Sequence, residues 1–176
     1  MDIQLAQLTI NFKTEEPAPF FQVNNDYRVR FDIDNINRSN LTHIIDMLFN
    51  DTDNIKISYY FGTLVPYIFK EPTRIGKYIS INSWEERLFE AENEYDSKDI
   101  YKIVTIKNVK KAEIINYLLY LKYALKNPYM CIYNDYHLLS NSTDVIDIMS
   151  SSTGMINNLK TRFAPIVDHF YDDHTK

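Results

Sequence analysis

Glycine is scarce in this chain, and its scarcity excludes a large group of nucleotide-binding enzymes. The 176 residues include only three glycines, Gly62, Gly76 and Gly154, which lie far apart. Loops that hold phosphate groups need glycine, because their backbone must approach the ligand closely and adopt positive φ angles. The sequence therefore contains neither a P-loop nor a dinucleotide-binding fingerprint.

Cysteine occurs once, at Cys131, so no disulfide can form within the chain. The surrounding run, residues 129–133, is apolar, which is typical of a cysteine that serves as a small buried hydrophobic residue rather than as a nucleophile. A chain of this length buries about two-thirds of the surface that its unfolded form exposes, so it needs no disulfide or metal to fold. We expect a single domain over residues 1–176.

Long apolar runs and an excess of basic residues are also missing. No stretch reaches the ~18 apolar residues that a transmembrane helix needs, and residues 1–10 do not resemble a signal peptide. The net charge of −5 disfavours the broad basic surface on which nonspecific nucleic-acid binding depends. These observations predict a cytoplasmic protein, in a host cell or a virion, without a membrane partner and with little affinity for nucleic acid.

Residues that could bind a metal are concentrated near the C-terminus. The group comprises Asp168, His169, Asp172, Asp173 and His174. Two imidazoles and three carboxylates could hold a divalent cation, but a chain end lacks the rigid support that such a site requires. We therefore predict a solvated polar tail, with no metal and no cofactor.

The remaining titratable residues do not form a recognisable catalytic motif. No serine lies in a G-x-S-x-G elbow that His43 or His137 could serve. Glutamates at 85–94 could supply paired carboxylates for glycoside hydrolysis, yet their spacing favours the solvated face of a helix. A basic group, Lys107, Lys110 and Lys111, could attract an anion at a helix N-terminus, although it is small. We predict no catalytic residues and no small-molecule substrate.

Isoleucine, asparagine and aromatic residues are abundant. The chain has 22 Ile, 17 Asn, 14 Tyr and 10 Phe, residues that are encoded mostly by AT-rich codons. This composition suggests an AT-rich genome, such as that of a low-GC bacterium, a bacteriophage or a large DNA virus.

Apolar alternation with a period of two predicts strands in the first half of the chain. The clearest example, residues 27–34, places Val29 and Phe31 on a buried face and Arg28 and Arg30 on a wet one, where arginine could form exposed pairs with aspartate. Further strands are predicted at 8–13, 55–61, 78–81 and 100–106, and residues 129–133 form a short apolar run.

Helical periodicity and capping signals predict the other elements. Ser39 or Asn40 can cap a first helix, Ser83 and Glu86 form a capping box, and Asn108 can cap a long apolar helix. The corresponding helices are predicted at 41–49, 84–94, 109–126, 144–149 and 155–163. This order predicts an α+β fold, a mostly antiparallel sheet with helices packed on one side and a helical C-terminal segment.

The predicted contact segments are the chain termini and two proline-containing loops, 14–20 and 62–76. Large apolar side chains follow the first loop, at Phe20 and Phe21, and lie within the second, at Tyr67, Ile68 and Phe69. Proline stiffens such loops and so lowers the entropy lost on docking, and buried aromatic residues supply much of the energy of protein interfaces. If all three phenylalanines are buried within the monomer, the contact surface should instead be the acidic segment 84–94.

The sequence is therefore interpreted as a non-enzymatic protein-interaction subunit of a phage-like or viral assembly, such as a connector, ring or tail-associated component. Its expected partners are other protein subunits in an oligomer. An alternative is a small viral or mobile-element protein that binds and inhibits a host factor. A third is an enzyme of an unrecognised class.

Overall fold

The centre of the fold is a large antiparallel sheet. A computed structural model describes residues 1–13, 17–65, 67–92, 98–124 and 127–171. The elements are β1 (Asp2–Leu5), β2 (Leu8–Asn11), β3 (Arg28–Asp32), α1 (Arg38–Leu48), β4 (Lys56–Val65), β5 (Phe69–Lys70), β6 (Trp84–Glu92), β7 (Lys98–Ile106), α2 (Lys111–Lys122), β8 (Met130–Tyr133), β9 (His137–Asn141), β10 (Val145–Ser150) and α3 (Thr153–Arg162).

The strands of the main sheet follow the order β3-β10-β9-β8-β4-β7-β6, and β5 pairs with the second half of β4. Each of these neighbouring pairs is antiparallel. The predicted α+β class with a mostly antiparallel sheet is confirmed.

The three helices cover one face of this sheet. Side chains of α1, α2 and α3, among them Ile44, Leu118 and Ile156, form one continuous core with alternate residues of the strands, such as Phe31 and Ile57. Because strand side chains alternate between the two faces of a sheet, the apolar residues at every second strand position pack against the helices. The predicted packing of helices on one side is confirmed.

The opposite face is covered by the N-terminal hairpin β1–β2 and a 3-10 turn at Pro19–Gln22. Ile3, Ile10 and Phe12 of the hairpin pack against sheet residues that include Cys131 and Met149. The sheet is therefore the middle of three layers. Cys131 is completely buried, as its apolar surroundings indicated.

Two predicted helices are strands. Segment 84–94 contains β6, Trp84–Glu92, which pairs with β7 along its whole length, and residues 93–94 lie outside the described residues. Segment 144–149 lies largely within β10, the strand between β3 and β9. The spacing of Trp84 and Leu88 fits a helix face, but it equally fits every second position of a strand. Strand pairing over nine residues outweighed the local capping signal.

Several boundaries also differ from the predictions. Residues 78–81 follow a 3-10 turn at Ile75–Lys77 and do not form a strand. The N-cap of α1 is Asn37, whose side chain accepts a hydrogen bond from the Asn40 backbone, and α2 begins after Lys110 rather than after Asn108. Part of the predicted long helix, 125–126, lies outside the described residues.

Candidate protein-interaction surface

The loop between β4 and β5 presents large apolar side chains to solvent. Tyr67 is 82% exposed, Ile68 is 76% exposed and Phe69 is 52% exposed. Exposed residues of this kind are unusual when they are contiguous, and they mark candidate contact surfaces. Sequence reasoning selected these three residues as partner-binding candidates, and the structure places all three at the surface.

The base of this loop is fixed to the rest of the fold. Gly62 has a φ angle of +149°, and a Cβ atom there would collide with the carbonyl group of Phe69. Glu71 donates its backbone N–H to the Phe61 carbonyl at 2.8 Å, and the buried Tyr117 hydroxyl donates to the Thr73 carbonyl at 2.8 Å. Burial raises the pKa of Tyr117 far above its ordinary value, so this hydroxyl stays protonated and can donate.

Strand β6 carries a second group of exposed apolar side chains. Trp84 is 56% exposed and Leu88 is 60% exposed. Between them lies Glu86, whose carboxylate is 2.6 Å from the Lys102 ammonium group on β7. Sequence reasoning missed Trp84 and Leu88 as surface residues of a sheet because it assigned them to a helix. Phe89 and Ala91 lie two residues apart, and both pack toward the hairpin layer. This period of two is the sequence signal that could have identified a strand.

Strand register places Phe69 of β5 and Phe89 of β6 in one row on the hairpin side of the sheet, whereas Trp84 and Leu88 point to the opposite face because strand side chains alternate. Phe69 lies opposite Thr63, Thr63 lies opposite Tyr101, and Tyr101 lies opposite Phe89. The rings of Phe89 and Tyr101 are stacked, with centroids 5.5 Å apart. We call residues 61–65, 67–70, 84–92 and 98–103, on both faces of this part of the sheet, the open side of the sheet.

The first predicted contact loop is divided between core and surface. Phe20 is only 3% exposed, whereas Phe21 is 45% exposed. The guanidinium groups of Arg28 and Arg30 lie 4.2 and 4.1 Å from the centre of the Phe20 ring. Phe20 therefore belongs to the core, and Phe21 is the exposed candidate of this segment. Residues 14–16 of this loop lie outside the described residues.

The prediction that Arg30 lies on a solvent-exposed face of β3 is wrong, because this side chain is buried. Its guanidinium group binds both carboxylate oxygens of Asp147 on β10, at 2.6 and 2.8 Å, and both residues are buried. Burial raises the pKa of Asp147, and the hydrogen bonds from Arg30 oppose that rise. The pair is enclosed by Phe20 and by Tyr171, whose ring centre lies 4.9 Å from the Arg30 guanidinium.

Two of the three lysines in the basic group near the start of α2, Lys107 and Lys111, are paired with carboxylates. Lys107 lies 2.9 Å from Glu85, and Lys111 bridges Asp46 and Asp51 at 2.8 Å each. The cleft beside Lys111, about 690 Å³ in volume, is lined by these aspartates as well as by lysine. Its paired charges offer no concentrated positive field for an anion.

His137 and Cys131 are held in structural positions. His137 Nδ1 lies 2.9 Å from the Ser150 hydroxyl oxygen, and burial lowers the pKa of His137. Burial also raises the pKa of the Cys131 thiol, which disfavours the nucleophilic thiolate.

The C-terminal candidate metal cluster is only partly visible. The Asp168 carboxylate accepts a hydrogen bond from the Phe170 backbone, and Asp172, Asp173 and His174 lie outside the described residues. Across the described residues, no group of three or more histidine, cysteine, aspartate or glutamate residues is arranged to hold a metal ion.

No helix among the described residues has the length and apolarity to cross a membrane.

Comparisons with protein-family models, with curated proteins and with solved structures found no significant match. The geometry of the open side is therefore the basis for a functional proposal.

Proposed function

We propose that this chain is a non-enzymatic protein-interaction subunit of a phage-like or viral assembly, acting in the host cytoplasm or the virion. The observation that carries the proposal is the exposure of Tyr67, Ile68 and Phe69 together with Trp84 and Leu88 on the open side. The AT-rich composition supports a phage-like or viral source.

Physical chemistry favours a contact role for these side chains. Each is large enough to supply substantial free energy when a partner removes it from water, and tyrosine and tryptophan are enriched among the residues that dominate interface energies. The anchors at Gly62, Glu71 and Tyr117 restrict the loop before binding, so less conformational entropy is lost on docking.

The side chains that could take part in catalysis are held in ion pairs or enclosed in the core. Lys111 and Arg30 are ion-paired, and Cys131 is enclosed in the core. These contacts support a protein that acts through shape and contact rather than through turnover.

Native mass spectrometry of the purified chain at micromolar concentration tests the proposal. We expect a ring or another higher oligomer that dissociates when Tyr67 and Ile68 are both replaced by serine. Tyr123→Ser is the matched control, because Tyr123 is 81% exposed but lies at the end of α2.

A chain that stays monomeric at every concentration would contradict this proposal and favour the host-factor inhibitor. An oligomer that survives the double substitution would show that the open side is not its interface. Turnover of a substrate would favour the enzyme.

A further inference from the structure

The two outer strands of the sheet differ in how their edges are covered. The outer edge of β3 is met by the C-terminal segment, through a bridge between Phe31 and Val167 and a hydrogen bond of 2.9 Å from the Asp168 backbone N–H to the Arg30 carbonyl. Strand β6 is the last strand at the other end of the sheet. Within the described ranges, no strand pairs with its outer edge.

The register identifies the backbone groups that β6 presents outward. Lys107 donates its N–H to the Ser83 carbonyl at 2.9 Å, so this pair is of the hydrogen-bonded type. Such pairs recur every second residue in an antiparallel ladder, and β6 and β7 stay in register from Trp84 onward. The backbone groups of the alternate residues therefore point away from β7. These residues are Trp84, Glu86, Leu88 and Glu90.

The side chains along this edge combine apolar and acidic character. Glu86 and Glu90 flank Leu88, and each carboxylate has one lysine on the β7 side, Lys102 at 2.6 Å and Lys98 at 2.7 Å. Hydrogen bonding from Lys98 lowers the pKa of Glu90, so that carboxylate is ionised at neutral pH. An incoming strand would lie on the other side of each carboxylate.

We infer that the outer edge of β6 accepts an extended, basic segment of a partner protein as an added antiparallel strand. Outward N–H and C=O groups would supply a hydrogen-bonded ladder, as in other cases of strand addition. Lysine or arginine opposite Glu86 and Glu90, with an apolar residue opposite Leu88, would extend the existing cross-strand pairs. This inference rests on the proposed function and names the partner's chemistry.

Charge favours such a partner over a second copy of β6. Antiparallel self-pairing centred on Leu88 places Glu86 of one chain opposite Glu90 of the other, and does so twice. Like charges directly opposite each other destabilise a sheet. Exposed ion pairs are individually weak, so the backbone ladder would provide most of the affinity and the charges would select the sequence.

A synthetic peptide that matches β6 tests the inference directly. It carries lysine opposite Glu85, Glu86 and Glu90, glutamate opposite Arg87, and valine opposite the apolar positions. Trp84 is the only tryptophan of the chain and is itself on this edge, so its fluorescence reports binding. We expect a blue shift of its emission that saturates with peptide concentration.

Two altered peptides separate the ladder from the charges. Methylation of the backbone nitrogens that face β6 removes donors and should weaken binding by about fivefold to tenfold for each lost hydrogen bond. Exchange of the lysines for glutamates should abolish the blue shift.

A matched pair of protein variants tests the same edge. Glu86→Pro removes an outward N–H, which proline can lack on an edge strand without disturbing the inner ladder, whereas Glu86→Gln removes only the charge. We expect Glu86→Pro to bind the peptide more weakly than Glu86→Gln. Circular dichroism verifies that both variants fold, and the methylated peptide still decides the question if Glu86→Pro does not.

Three results would overturn the inference. They are equal binding of the methylated peptide, equal binding of the acidic peptide, and a blue shift that depends on protein concentration alone, which would indicate self-pairing. Absence of binding by the matched peptide would likewise refute strand addition. The contact role of Tyr67 and Ile68 would still be tested separately, by native mass spectrometry.

Discussion

The sheet carries ion pairs between neighbouring strands at both of its ends, in opposite surroundings. At the β3 end, Arg30 and Asp147 are buried beneath aromatic rings. At the β6 end, the Glu86 side chain of the Lys102 pair is about half exposed. The same type of contact therefore has different consequences, because removal from water determines how costly an unpaired charge becomes. The first pair bears on stability, and the second lies at the edge where we propose that a partner binds.

Loss of one member from each pair should reveal this difference. We expect Arg30→Met to lower the free energy of unfolding by about 3–5 kcal/mol, because it leaves the Asp147 carboxylate buried without a partner. Lys102→Met should cost at most about 1 kcal/mol, the range of exposed pairs. Urea denaturation followed by circular dichroism measures both, and similar losses would refute the contrast. Replacing Asp147 by leucine in the Arg30→Met background should restore part of the stability.

Two leucine substitutions, one in the core and one on the exposed β6 edge, test the same contrast between buried and exposed positions. Leu118 of α2 is buried in the helix-side core, so Leu118→Ala should destabilise the protein by about 2–5 kcal/mol. Leu88 is largely exposed, and Leu88→Ala should change stability by less than about 0.5 kcal/mol. A thermal melt unchanged by Leu118→Ala would contradict the assigned position of α2.

A smaller effect is expected at Gly62, where the open side is held together. Gly62→Ala introduces a Cβ atom against the Phe69 carbonyl at an unfavourable φ angle, which should cost about 1–3 kcal/mol. We expect the strain to separate β5 from β4 and to reduce oligomer formation. Hydrogen exchange at the Glu71 amide, which donates to the Phe61 carbonyl, measures this opening, and unchanged protection would show that β5 tolerates the added methyl group. Gly154→Ala is the control, since its nearest non-neighbour atom lies 3.7 Å away.

Local patterns were sufficient to predict part of this architecture. Strands near 27–34, 55–61 and 100–106 and the long helix followed from apolar periodicity, because each has one face that a partner layer must bury. The exposed loop residues Tyr67, Ile68 and Phe69 also followed from local signals, since proline and the absence of periodicity mark irregular segments.

Long-range pairing determined what the sequence did not reveal. Residues 84–92 have a capping box and helical spacing, yet β7 offers them a complete ladder of partners. Arg30 resembled an exposed residue because its burial depends on Asp147, on the aromatic ring of Phe20 and on the C-terminal segment. The open side could not be predicted as a unit, since register alone brings Phe69 and Phe89 into one row.

The pairing of β3 with β10 has a consequence for biosynthesis. Arg30 and Asp147 are separated by 117 positions in the chain, so β3 can pair with β10 only after the intervening residues have been made. At ~5–20 residues per second, a ribosome needs roughly 6–23 s to cover that distance. During this interval Phe31 and its neighbours remain without their sheet, a period in which chaperones can act on the nascent chain. Completion of the sheet at its β3 end therefore has to wait for the synthesis of β10.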